Sequence, residues 1–160
     1  MKRLVLILAA SVLQLSCEDP VREQRAESLG PDEGPYEEGP FHRAGDPCTW
    51  CHTKGGKDPH FDLAGTVYAR RDSKDALGGV KVRLFDAQGH EQTLVSNEVG
   101  NFFFSEGDLA LKFPIWVKLE YQGEVTAMQT PILRERSCAA CHQHSTSPSS
   151  PGHVYLWEEP

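Results

Sequence analysis

Gly79-Val80-Lys81-Val82-Arg83-Leu84-Phe85-Asp86 alternates apolar and polar residues and stops at the turn Gln88-Gly89-His90. Period-two alternation between glycine turns is the pattern of a strand with one face buried and one face wet. Similar short runs, rich in β-branched and aromatic residues, lie on either side. Strands are predicted at 62–70, 79–86, 91–95, 101–105, 114–121 and 124–130. The turns between them fall at Leu77-Gly78-Gly79, Gln88-Gly89-His90, Val99-Gly100-Asn101 and Gln122-Gly123. A further edge strand is predicted within His153–Trp157. The expectation is a mainly β protein in which seven antiparallel strands form a sandwich over residues 61–131 plus the final strand.

Outside that β region, one pentapeptide pattern occurs twice, as Cys48-Thr49-Trp50-Cys51-His52 and as Cys138-Ala139-Ala140-Cys141-His142. Cys-x-x-Cys-His reads as a c-type haem attachment site. Two cysteines separated by two residues can reach both vinyl groups on one edge of a haem and form thioethers. The following histidine is then placed to ligate the iron. Two covalently bound c-type haems are therefore expected, on Cys48, Cys51, Cys138 and Cys141, with His52 and His142 as proximal ligands. A four-thiolate zinc site uses the same cysteines, and a dithiol or disulfide uses either pair. Neither alternative requires the histidine.

The sixth ligands are open. His60, close to the first motif, is favoured for the first iron; His153 and Met128 are the contenders for the second. A thioether there raises the reduction potential relative to a second imidazole. His42, His90 and His144 are weaker candidates, His144 because it stands only two residues past His142. For any of them the plain alternative is a solvated histidine or a core-filling methionine.

Residues 1–16 read as an export signal: Lys2 and Arg3, an apolar run from Leu4 to Leu15, and a small residue, Ser16, before Cys17. That run is too short to span a bilayer as a helix. Leu13-Gln14-Leu15-Ser16-Cys17 resembles a bacterial lipoprotein signal, which implies lipidation of Cys17 and a membrane anchor facing the periplasm or cell surface. Gln14 stands where that family usually has an aliphatic residue. Four of the five cysteines belong to the two motifs, so lipidation also accounts for the odd one.

Residues 17–40, dominated by Glu, Asp, Gly and Pro, are expected to be a disordered acidic tether. Gly30-Pro31, Gly34-Pro35 and Gly39-Pro40 favour extended backbone. The first haem-binding segment then spans 41–60, with Asp46 or Thr49 as possible helix caps, and the second occupies 132–160. The formal charge of −7 becomes two charges more negative without Lys2 and Arg3. Such a chain repels nucleic acid and steers toward basic protein partners.

Three stretches, Ala64-Gly65-Thr66-Val67-Tyr68, Gly79-Val80-Lys81-Val82-Arg83-Leu84-Phe85-Asp86 and Gly100-Asn101-Phe102-Phe103-Phe104, resemble carboxypeptidase regulatory-like or transthyretin-like β-sandwiches. That resemblance implies a seven-stranded scaffold and no catalysis. As a whole the chain resembles extracytoplasmic bacterial cytochromes in which Cys-x-x-Cys-His motifs flank such a sandwich. This implies single-electron transfer between redox proteins. No Ser-His-Asp signature, phosphate loop or His-Glu-x-x-His motif suggests an enzyme. The reading from another class is an exported binding module, with a structural four-cysteine zinc site or a haem-sensing role. Counting six strands between the motifs predicts that both haems sit at the same end of the sandwich.

Overall fold

The computed structural model describes residues 20–56, 58–143 and 150–157. The signal, Cys17 and His144 lie outside them.

Seven strands form two sheets: β1 (Phe61–Arg70), β2 (Lys81–Asp86), β3 (Glu91–Val95), β4 (Asn101–Ser105), β5 (Ile115–Tyr121), β6 (Glu124–Ala127) and β7 (Val154–Trp157). The order is β4-β1-β7 in one sheet and β3-β2-β5-β6 in the other. In β2, Val82, Leu84 and Asp86 are buried while Lys81, Arg83 and Phe85 are not. In β5, Ile115, Val117 and Leu119 are buried and pair with Asp86, Leu84 and Val82. Period two in sequence has become one dry face. On the wet face Arg83 forms ion pairs with Glu91 (2.8 Å) and Glu120 (3.5 Å). The dry face meets Leu63, Val67, Phe102, Phe104 and Leu156 of the other sheet in one core. The β5–β6 turn needs two left-handed residues, which Gln122 (φ 51°) and Gly123 (φ 90°) supply.

β1 differs from β2 in sequence and in burial. Leu63, Ala64, Thr66, Val67 and Tyr68 are all buried, so both faces of this strand are covered. A near-continuous run in place of alternation marks a strand buried on both sides. One side is the core. Residues 40–52 cover the other: the Gly45 amide donates to Thr66 Oγ1 (2.8 Å), and Thr66 in turn donates to Asn101 Oδ1 (2.7 Å). Asn101 Nδ2 donates to the carbonyls of Pro40 (3.3 Å) and His42 (3.1 Å), and Asn97 Nδ2 donates to that of Pro40 (2.6 Å).

The pairing departs from the expected all-antiparallel arrangement at one place, because β7 runs parallel to β1. Its line begins earlier in the chain: Ser137 bridges Ala64 in parallel, and the Ala64 amide donates to Arg136 O (2.9 Å). Val154 then takes the position beside Val67. Two residues of β1, Gly65 and Thr66, are thus matched by an excursion from 138 to 153. The second motif is an insertion in an edge strand.

Where composition predicts an extended tether, Pro20–Ser28 forms a helix, α1, with no buried residue. Glu, Gln, Arg and Ala are good helix formers, and Pro suits the first helical position. The Arg25 guanidinium lies 5.9 Å from the centre of the Trp50 ring. Among the described residues no helix is long and apolar enough to cross a membrane.

Candidate functional site

Both motifs adopt the same local structure, a single 3-10 turn over Cys48–Trp50 and over Cys138–Ala140. In each, the histidine amide donates to the carbonyl of the first cysteine, His52 to Cys48 (2.9 Å) and His142 to Cys138 (2.8 Å). The amides of Cys51 and Cys141 donate to the carbonyls of Cys48 and Cys138, the three-residue closure of a 3-10 turn. Neither Asp46 nor Thr49 caps the first turn, which has Pro47 at its N-cap and no side-chain cap. Asp46 is instead paired with Arg43 at 3.0 Å.

The two imidazoles are also held alike. His52 Nδ1 lies 2.8 Å from Pro59 O, and His142 Nδ1 lies 3.1 Å from Gly152 O. A carbonyl can only accept, so each Nδ1 carries the proton and each Nε2 keeps a free lone pair. This is the second-shell device that orients a histidine for a metal. The nearly buried His52 ring stacks on Phe61 (centres 4.0 Å apart, 13° between planes), and Phe61 stacks on Phe103 (4.6 Å, 17°). Burial holds His142 below its ordinary pKa, opposed by its backbone contacts with Gly152 and His153. The shift favours the neutral imidazole, the form a metal binds.

All four motif cysteines are free thiols. Burial pushes Cys48 up to about 11 and Cys138 up to about 12, and it raises Cys51 as well. Cys48 adds to the rise at Cys138. Cys48 and Cys138, raised in this way, are protonated at neutral pH. Among the described residues no group of three His, Cys, Asp or Glu side chains is placed to hold a metal ion. The four sulfurs are therefore not gathered into one tetrahedron.

β1 joins the two sites. The Phe61 amide donates to His52 O (3.1 Å), which ties the first motif to the strand's beginning. Toward its other end, the His153 amide donates to Arg71 O (2.9 Å), and the His153 ring stacks on Tyr68 (4.0 Å, 23°). Strand parity predicts both haems at one end. The motifs instead lie along a single strand, the first tied to its beginning through His52 and the second to its far end through Gly152 and His153. At Gly65 a Cβ would stand 2.8 Å from Cys138 Cβ and Sγ and 2.9 Å from Phe102 Cζ. Only a residue without a side chain lets Cys138 approach β1 here.

The other candidates fall in different surroundings. His60 is 4.0 Å from Asp62 and 3.8 Å from Glu106, its Nδ1 is buried without a hydrogen-bond partner, and it makes no ring contact with His52. Met128 packs against the core, where its plain role is filling. His90 belongs to the β2–β3 turn and contacts Asp86 at 3.1 Å. The imidazole that does neighbour His52 is His42, with ring centres 5.7 Å apart and planes 33° apart. Sequence spacing favours His60 over His42 because it registers distance along the chain. The Asn97 and Asn101 side chains, more than fifty residues away, bring His42 in.

No family model, curated protein or solved structure matches this chain.

Proposed function

We propose that this protein is an exported di-haem c-type cytochrome that passes single electrons between redox proteins, on a transthyretin-like β-sandwich scaffold. One observation carries the reading. Two Cys-x-x-Cys-His segments adopt the same turn, and each ends in a histidine whose Nδ1 is tied to a backbone carbonyl.

The residues present fit the group. Cys48 and Cys51 would hold one haem and Cys138 and Cys141 the other, through thioether bonds, with His52 and His142 on the irons. When bound, the haem supplies the one-electron chemistry. The chain's own residues do the rest. Pro59 O and Gly152 O fix the imidazole tautomers and ring orientations. Phe61 and Phe103 shield one face of His52 from water. β1 holds both attachment segments on one rigid element, which keeps the spacing between the two redox sites constant. Lipidated Cys17 would tether the protein to a membrane outside the cytoplasm, and the acidic surface would steer basic partners.

The deciding measurement is a pyridine haemochrome spectrum of the full chain, exported from a host with c-type maturation and quantified per chain. Two covalent haems are expected, falling to one in Cys138→Ala/Cys141→Ala and to one in Cys48→Ala/Cys51→Ala. Haem-free protein carrying stoichiometric zinc would overturn the proposal.

A further inference from the structure

The geometry points to His42 as the sixth ligand of the first haem iron, opposite His52, an assignment that rests on the di-haem reading above. Three observations carry it.

The first is distance. Two imidazoles on opposite sides of one iron, each on a metal–nitrogen bond of about 2 Å, have ring centres about 6 Å apart. The observed separation between His42 and His52 is 5.7 Å. Axial rings can turn about their common axis, so the 33° between the planes is acceptable. Phe61 packs flat on one face of His52 and does not occupy its ring edge.

The second is the tautomer. His42 Nδ1 is hydrogen-bonded to Gly39 O, as His52 Nδ1 is to Pro59 O. Each ring is therefore protonated at Nδ1 and has its free lone pair on Nε2.

The third is support. A histidine in a Gly- and Pro-rich acidic segment would ordinarily be mobile, and a mobile side chain is a poor ligand. Here the backbone is fastened on both sides of His42. Asn101 Nδ2 donates to its carbonyl and Asn97 Nδ2 to that of Pro40. Arg43, at φ 49°, donates to Gly30 O (2.6 Å) and to Asp46 (3.0 Å). The Gly45 amide is fixed by Thr66. The β1–β4 sheet thus grips both edges of a short loop whose single imidazole lies beside the proximal histidine.

His60 lacks these features: it makes no ring contact with His52, and its nearest recorded partners are carboxylates.

The test compares ferric spectra of wild type, His42→Gly and His60→Ala, with haem counted per chain in each. Thioether bonds do not depend on the sixth ligand, so His42→Gly should retain two haems. One of the two should become high-spin, visible as a long-wavelength charge-transfer band and a high-spin signal in electron paramagnetic resonance. Added imidazole should restore the low-spin state, which a folding defect would not allow. His60→Ala should keep the wild-type spectrum. Two haems with an unchanged spin state in His42→Gly would overturn the assignment while leaving the cytochrome reading intact, as would a high-spin haem in His60→Ala instead. A wild-type chain without haem would overturn both.

Discussion

Asp86 shows how one side chain can organise a turn away from the proposed redox sites. Its carboxylate, with a side chain only 1% exposed, accepts from the amides of Gln88, His90 and Lys112 and contacts His90 Nδ1. Burial alone would raise its pKa; the hydrogen bonds from His90, Gln88 and Lys112 outweigh it and hold the carboxyl at about 2, below the ordinary 3.8. A pKa depressed in the folded state gives stability that is complete above the unfolded value and disappears as pH falls through the folded one. Wild-type melting temperature should therefore drop between about pH 4 and pH 2. Asp86→Asn should melt lower at pH 7 and lose part of that acid dependence. Thermal melts of both proteins across this range check it, and parallel curves would remove Asp86 as the cause. At the same scale the cysteines and histidines of both motifs adopt matching turns. The tautomer-fixing carbonyls of Pro59 and Gly152 could not be read from the sequence, because any carbonyl within reach would serve.

At the scale of elements, strand positions were legible and strand pairing was only partly so. The predicted 62–70, 91–95 and 101–105 agree with β1, β3 and β4 to within a residue, because glycine turns and alternation are local signals. The prediction of 124–130 overruns β6, which ends at Ala127. The parallel line through Ser137 and β7 was not legible, since nothing in either segment records that the excursion from 138 to 153 separates two parts of one edge. That element yields a prediction. Gly65→Ala would press a methyl group against Cys138 and Phe102, and overpacking of this kind costs about 1–3 kcal/mol. Because the strain falls on Cys138, haem content at the second motif should fall while the first is retained, as mass spectrometry of the haem-bearing peptides would show. Equal loss at both motifs would indicate general unfolding instead. Asn101→Ala should act on the opposite segment. It removes the donor to Pro40 O and His42 O and the acceptor of the Thr66 hydroxyl, at a cost of about 1–3 kcal/mol for the buried groups left unpaired. Chemical denaturation measures that loss, and amide exchange should show residues 40–45 opening before the sheets.

For the whole molecule, the acidic balance and the lipoprotein-like signal bear on where the protein works. If Cys17 carries the anchor, Cys17→Ala should move the protein from the membrane fraction to the soluble fraction without changing haem per chain; continued membrane association would rule out lipidation as the anchor. By itself the sequence determined the β character, the strand spacing, the two Cys-x-x-Cys-His segments and the acidity, all of which follow from neighbours within a few positions. Tertiary structure decided which histidine lies against His52, that Cys138 packs against Gly65 of β1, and that Met128 packs against the core. Those outcomes depend on contacts between residues far apart in the chain, Asn101 with His42, Gly65 with Cys138, Ala64 with Ser137. They form only when two sheets close on a common core and the covered strand β1 fixes what lies on each side of it.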